Sequence, residues 1–232
     1  MTDLPIFIRR AEVNDAPAVA ELYRKVYPTG YQYPPKILRG QIESFPEGVF
    51  VATRGDDIVG YCATMQAFEQ DVFQPHTWLE ITGGGTGKGH EPKGRWLYGY
   101  EIFVDPEERR QGIGHRLYHA RAELCRARRL KGIAICGRLP LLKKRMAGLG
   151  SVQSYVRAVQ AKELRDPTFL FQARQGFKFQ RVMAGYLPSD TDSLGYAAFM
   201  IWPNPAYEAG DKASGRGSTA QTAPREKKIA FG

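Results

Sequence analysis

Apolar and polar positions along the chain recur in two periods, and the changes between them predict the elements. Pro5 to Arg10 alternates like a strand; Asn14 and Asp15 before Pro17 mark a helix start, after which Val19, Leu22 and Val26 recur at helical spacing. Tyr27 to Pro35, rich in Tyr, Pro and Gly, reads as a loop, and Lys36 to Ser44 as a short second helix before Phe45-Pro46-Glu47-Gly48. Val49 to Thr53 and Ile58 to Met65, joined through Gly55-Asp56-Asp57, predict an antiparallel hairpin. A long loop from Gln66, with a glycine-rich stretch at Gly83 to Gly89, leads into a strand from Trp96 to Val104. From Gly112 to about Arg129, the spacing of Ile113, Leu117, Ala120, Leu124 and Ala127 predicts an amphipathic helix packed on a sheet. Lys131 to Cys136 then predicts a strand, and Leu139 to Leu164 carries mixed helical signals. A helix from about Pro167 ends at Gly176 as its C-cap, and Phe177 to Met183 and Gly195 to Trp202 close the core as strands.

Composition bounds the class. The 232 residues are 43% hydrophobic and 25% charged, enough for one substantial core. The longest apolar run, Leu194 to Trp202, is about half of the ~20 residues a membrane helix needs, so no span is expected. Asp3, Pro5, Arg9 and Arg10 interrupt the first ten residues where a signal peptide is continuously apolar, and a cytoplasmic protein is expected. Beyond Pro205 the sequence turns to Gly, Ser, Ala, Thr and Lys. One domain over residues 1–205 and a disordered tail over 206–232 are therefore expected. Deleting Glu208 to Gly232 is expected to leave the melting temperature unchanged in a thermal scan; a large fall would move the boundary.

Cys62, Cys125 and Cys136 lack CxxC spacing and sit in apolar segments, so three buried thiols are expected and no metal. The net charge of +9 is concentrated. Between Arg109 and Lys131, eight basic residues stand against Glu123. A solvated helix face is the plain reading, with Arg121, Arg128 and Arg129 on it; contact with a phosphate-bearing ligand is the functional one. No aromatic interleaving accompanies them, and specific nucleic-acid binding is not expected.

The strongest local motif is Val104-Asp105-Pro106-Glu107-Glu108-Arg109-Arg110-Gln111-Gly112-Ile113-Gly114, between a predicted strand and an amphipathic helix. Its glycines permit close backbone approach, and the amides of Gln111 to Gly114 point from the positive helix end, as a pyrophosphate cradle requires. Two other patterns are incomplete. Thr82 to Gly89 has Thr82 in place of the first P-loop glycine and Gly89 in place of the Mg-binding hydroxyl, so a flexible loop is expected. His115 and His119 have metal-ligand spacing without a Glu between them or a third ligand.

Arg109-x-x-Gly112-x-Gly114, with Val104-x-Pro106 before it and Leu117 after it, resembles the acetyl-CoA signature of the GNAT N-acetyltransferase superfamily. The order of segments and the Gly176-Phe177 pair resemble that fold over about residues 5 to 203. Further stretches resemble GNAT domains fused to carbon–nitrogen hydrolase (nitrilase-like) domains. They are Phe45 to Gly48, Leu97-Tyr98-Gly99, Glu101 to Val104, Gly137-Arg138-Leu139-Pro140, Leu187 to Asp190 and Ser193 to Tyr196.

The resemblance implies an α/β (α+β), three-layer fold with a mixed, mostly antiparallel sheet. It implies acetyl-CoA as acyl donor, and an acceptor amine on a small molecule, protein or peptide that attacks directly in a ternary complex. A non-catalytic acyl-CoA-sensing domain working with a separate carbon–nitrogen hydrolase is the other reading. The implied CoA-binding residues are Ile102, Phe103 and Val104, the loop Arg109, Arg110, Gln111, Gly112, Ile113 and Gly114, and Gln172. Glu101 is the nearest carboxylate to the expected thioester, a base acting directly or through water. Gln172 stands where many of these enzymes carry a protonating Tyr. Tyr98, Tyr100 or Tyr155 then serves, or the thiolate leaves unassisted, or the domain binds without efficient turnover.

Overall fold

In a computed structural model that describes residues 4–28 and 33–207, the elements fall close to the segments that alternation and spacing predict. They are β1 (Ile6–Arg10), α1 (Ala16–Val26), α2 (Pro35–Ser44), β2 (Val49–Arg54), β3 (Asp57–Ala67), α3 (Glu69–Phe73), α4 (Trp78–Thr82), β4 (Trp96–Val104), α5 (Ile113–Ala127), β5 (Gly132–Arg138), α6 (Leu142–Arg145), α7 (Val152–Gln160), α8 (Pro167–Arg174), β6 (Lys178–Met183) and β7 (Ala197–Pro203). The tail expected beyond Pro205 lies, from residue 208 on, outside the described residues.

One seven-stranded sheet runs in the order β1-β2-β3-β4-β5-β7-β6. Every pair is antiparallel except β4 with β5, which the α5 crossover joins in parallel. Apolar side chains from the two faces form two cores. The first packs α1, α2, α3 and α4 against one face, and the second packs α5, α7 and α8 against the other. This is the three-layer, mostly antiparallel arrangement that the family resemblance implies. The start of α1 is fixed locally: the Glu12 amide donates to Asp15 at 2.7 Å, and Arg9 holds both oxygens of the same carboxylate at 2.7 and 2.8 Å.

Five expectations need correction. Arg121 is not on a solvated face but 1% exposed, whereas Ala127, expected on the apolar face, is exposed. The stretch Gly83 to Gly89 is packed rather than loose. Gln41 donates to the Gly85 carbonyl at 2.8 Å, Thr82 Oγ1 accepts from the Gly85 amide at 2.9 Å, and a Cβ on Gly89 would lie 1.9 Å from the Ile81 carbonyl. The long loop from Gln66 contains two helices, α3 and α4, each of five residues and too short to show a period. Cys62 and Cys125 are buried as expected, but Cys136 is only half-buried.

Candidate active site

Strands β4 and β5 pair only from Trp96–Gly132 to Gly99–Ile135, and beyond Gly99 they diverge. The backbone of Ile102 to Val104 therefore has no strand on its β5 side, while Gly60 to Cys62 of β3 still pair with it on the other. A β-bulge sits at the split: Ala63 pairs with Glu101 and Thr64 with Gly99, which leaves Tyr100 as the extra residue. Strict alternation would put Tyr100 and Glu101 on opposite faces. The bulge instead brings Glu101 to the side of Tyr98, Tyr100 and Phe103, the face of the first core.

Side chains from both layers satisfy the carbonyls of this irregular stretch. Trp78 Nε1 donates to the Tyr100 carbonyl at 3.1 Å. From the opposite face Arg121 donates to the Ala63 carbonyl at 3.1 Å and to the Glu101 carbonyl. Arg121 also lies 5.1 Å from the Tyr118 ring centre.

Glu101 is half-buried and faces an aromatic lining. Tyr33 hydrogen-bonds its carboxylate, and Tyr23, Tyr27 and Tyr61 lie within its field. Tyr23 stacks edge-on against Phe103 at 5.4 Å between ring centres. Burial pushes the Glu101 carboxyl up to about 8, against the opposing pull of the Arg121 and Arg138 guanidinium groups. The same burial, with the Glu101 charge, pushes the Tyr27 phenol up to about 12.

On the other side of the split lies the glycine loop. Lys25 binds Asp105 and Glu107 at 2.9 and 2.7 Å, and Arg54 binds Glu108 at 3.0 Å and also Gln111. The cradle is thus braced from α1 and β2. Arg109 and Arg110 are exposed, and Arg110 and Gly112 both take positive φ, +68° and +80°. Gly112 caps α5 in this left-handed conformation and, having no side chain, offers no cap to the first helical amides. Gly114 has a packing role: a Cβ there would lie 2.9 Å from the Phe171 ring of α8. Ile113 is buried beneath the cradle.

Gln172, 4% exposed, lies against β5 at Gly137, where a Cβ would come within 2.0 Å of its Oε1. That Oε1 and Arg121 Nε are buried without a hydrogen-bond partner. An orphaned acceptor, unpaired strand backbone and a cradle of amides together fit the amides and pyrophosphate of a CoA arm.

The tyrosines separate. Tyr98 is fully buried and tied to His76 Nε2 at 2.9 Å and to the Tyr186 hydroxyl at 3.0 Å. Tyr100 is buried with its hydroxyl unpartnered. Tyr155 lies in the second core and donates to the buried Asp166 at 2.7 Å, away from Glu101. His115 meets Gln175 at 2.7 Å, and among the described residues no three His, Cys, Asp or Glu side chains form a metal-type group. Arg128, another of the basic residues, is engaged with Glu47 and Gln66 at 2.8 and 2.9 Å.

A sheet split beside a bulged strand, with a glycine-capped helix at the split, is the arrangement of the GNAT fold. The sequence agrees, for residues 16–141 match the Acetyltransferase (GNAT) family, and the chain belongs to that family. It is 36% identical over 200 residues, 86% of its length, to the Bacillus subtilis (strain 168) protein named Probable hydrolase YhcX, and spans 39% of that relative. It is 37% identical over 172 residues to the same organism's Uncharacterized N-acetyltransferase YkwB, 74% of this chain and 75% of that one. Among solved structures, the GNAT-like decarboxylase GphF in complex with isobutyryl-CoA shares the fold, with a TM-score of 0.75 at 23% identity, covering 85% of this chain and 99% of that one. Among the described residues no helix is long and apolar enough to cross a membrane.

Proposed function

We propose that this domain transfers the acetyl group of acetyl-CoA to an amine in a ternary complex, with Glu101 as the base. The observation that carries this reading is the bulge at Tyr100, which turns the Glu101 carboxylate into the aromatic lining where β4 leaves β5. Acetyl-CoA would supply the activated acyl group. The amides of Gln111 to Gly114, with Arg109 and Arg110, would hold its pyrophosphate, and the free backbone edge of Ile102 to Val104 its pantetheine arm. Gln172 Oε1 would accept from an amide of that arm. Support also comes from family membership and from a relative of the same fold that binds an acyl-CoA.

Glu101 would take a proton from the ammonium form of the acceptor, and the tyrosine lining would exclude water from the neutral amine that results. The raised carboxyl favours this step, because its affinity for a proton lies closer to that of an amine than an ordinary carboxylate's does. Acetyl-CoA-dependent modification of an amine panel, read by mass spectrometry, tests the reading; binding of acetyl-CoA without transfer to any amine would overturn it.

That last outcome is the signature of the second reading, an acyl-CoA-binding domain acting with a separate carbon–nitrogen hydrolase. Gln172 favours it, since an amide has no titratable proton for the departing thiolate.

The cradle gives a separate prediction. Gly112→Val has open space around its Cβ, so its effect comes from the backbone: a β-branched residue resists a φ of +80°. CoA affinity in calorimetry is expected to fall about tenfold or more, with circular dichroism unchanged. Unchanged affinity in the folded variant would remove the pyrophosphate from this loop.

A further inference from the structure

We propose that Arg138 reads the acceptor: its guanidinium binds a carboxylate carried by the same small molecule whose amine meets Glu101. The acceptor class is then an amino carboxylate, such as a free amino acid. This rests on the amine-acetylation reading above and names its substrate.

Arg138 ends β5, just past the point where β5 leaves β4. It shares a sheet face with Ala134 and Cys136 of the first core, the face that also carries Glu101. Its guanidinium lies 5.7 Å from the Tyr27 ring centre, and Tyr27 in turn packs edge-on against Phe103, two residues after Glu101. Arg138 and Glu101 therefore border the same tyrosine lining from the two diverging strands.

The side chain is held in one orientation. Asp190 accepts from its Nε and from one terminal nitrogen, both at 2.6 Å. Asp190 is 8% exposed and is fixed by Ser193, whose hydroxyl donates to it at 2.6 Å while accepting from the Leu139 amide at 3.0 Å. The loop from Leu187 to Tyr196 thus anchors the guanidinium, and the side chain remains 35% exposed.

The guanidinium also hydrogen-bonds Tyr27 and lies 3.7 Å from the exposed Asp192, so a substrate carboxylate would use the N–H that these leave and would compete with Asp192 for the terminal nitrogen. Around the lining the guanidinium groups of Arg138, Arg109 and Arg121 stand against the carboxyl groups of Glu101, Asp190 and the exposed Asp192. A diamine would set its second cation against Arg138, and an uncharged amide would leave the guanidinium's remaining N–H without a charged acceptor.

The test titrates the full chain, loaded with CoA, with each of the common amino acids and with its C-terminal amide, in a calorimeter. Acetylation of the same pairs with acetyl-CoA is followed by mass spectrometry. Preferred amino acids are expected to bind about 10²-fold more tightly than their amides. Arg138→Gln is expected to erase that ratio by weakening the acid and not the amide, and Arg138→Lys to restore part of it. Because Arg138→Gln unpairs Asp190, the wild-type ratio stands as a test that needs no variant. Equal binding of acid and amide by the wild type, or an equal loss for both in Arg138→Lys, would overturn the proposal. Carboxylate-selective binding without acetyl transfer would instead sink the acetylation reading and leave Arg138 as the anion site.

Discussion

Glu101→Gln is expected to lower acetyl transfer about 10²- to 10⁴-fold while CoA binding is retained. The amide keeps the shape of the carboxyl and the aromatic packing around it but cannot take a proton. The wild-type rate should carry the mark of the same group. With the carboxyl raised to about 8, only its ionised form acts as a base, so turnover should rise with pH through that value and level off above it. Stability should run the other way. Between the ordinary Glu range, near about 4.3, and about 8, the folded chain binds this proton more tightly than the unfolded chain, so folding weakens as pH rises. The Gln variant lacks that dependence, and its melting temperature should gain on the wild type's steadily from pH 5 to pH 9. A variant with near-normal turnover and a parallel stability profile would return the proton to water or to a tyrosine, and Glu101 would be an ordinary strand carboxylate.

What the sequence could disclose followed from how local each feature is. The glycine turn into α5 was legible because a strand, two glycines and a helix start lie within a dozen residues, and the element order because each strand and long helix carries its own period. The bulge was not, since an extra residue in β4 becomes visible only against its partner β3. Strict alternation already grouped Glu101 with Phe103 but separated both from Tyr98 and Tyr100; pairing with β3 reunites them. The Arg138–Asp190 pair was also hidden, because its members stand 52 residues apart, although both fell in stretches that resemble the hydrolase-fused domains. Arg121 is different. Leu117, Arg121 and Leu124 are spaced 4 and 3, but the apolar periodicity runs equally through Ala120, which leaves Arg121 among the residues expected on the solvated face. The spacing held the right answer, and residue type obscured it.

That buried arginine carries the largest expected effect on stability. Arg121→Met removes the charge while filling much of the same space, so it separates the hydrogen bonds from the packing. The guanidinium bonds two carbonyls at the bulge, Ala63 and Glu101, from within the second core. Water does not reach this position, so methionine leaves the carbonyls without those donors, and bonds from a charged donor contribute about 1.5–3 kcal/mol each. A loss of about 3–5 kcal/mol is expected, which for a domain of this size is a fall in melting temperature of about 10 °C or more. Function adds a second readout. Arg121 is the strongest of the cations that favour the ionised Glu101, so its removal should push that carboxyl higher still and move the rising limb of the pH–rate profile to more alkaline pH. An Arg121→Met protein as stable as the wild type, with its pH profile unmoved, would mean that the bulge holds itself and that Glu101 owes its position to the sheet alone.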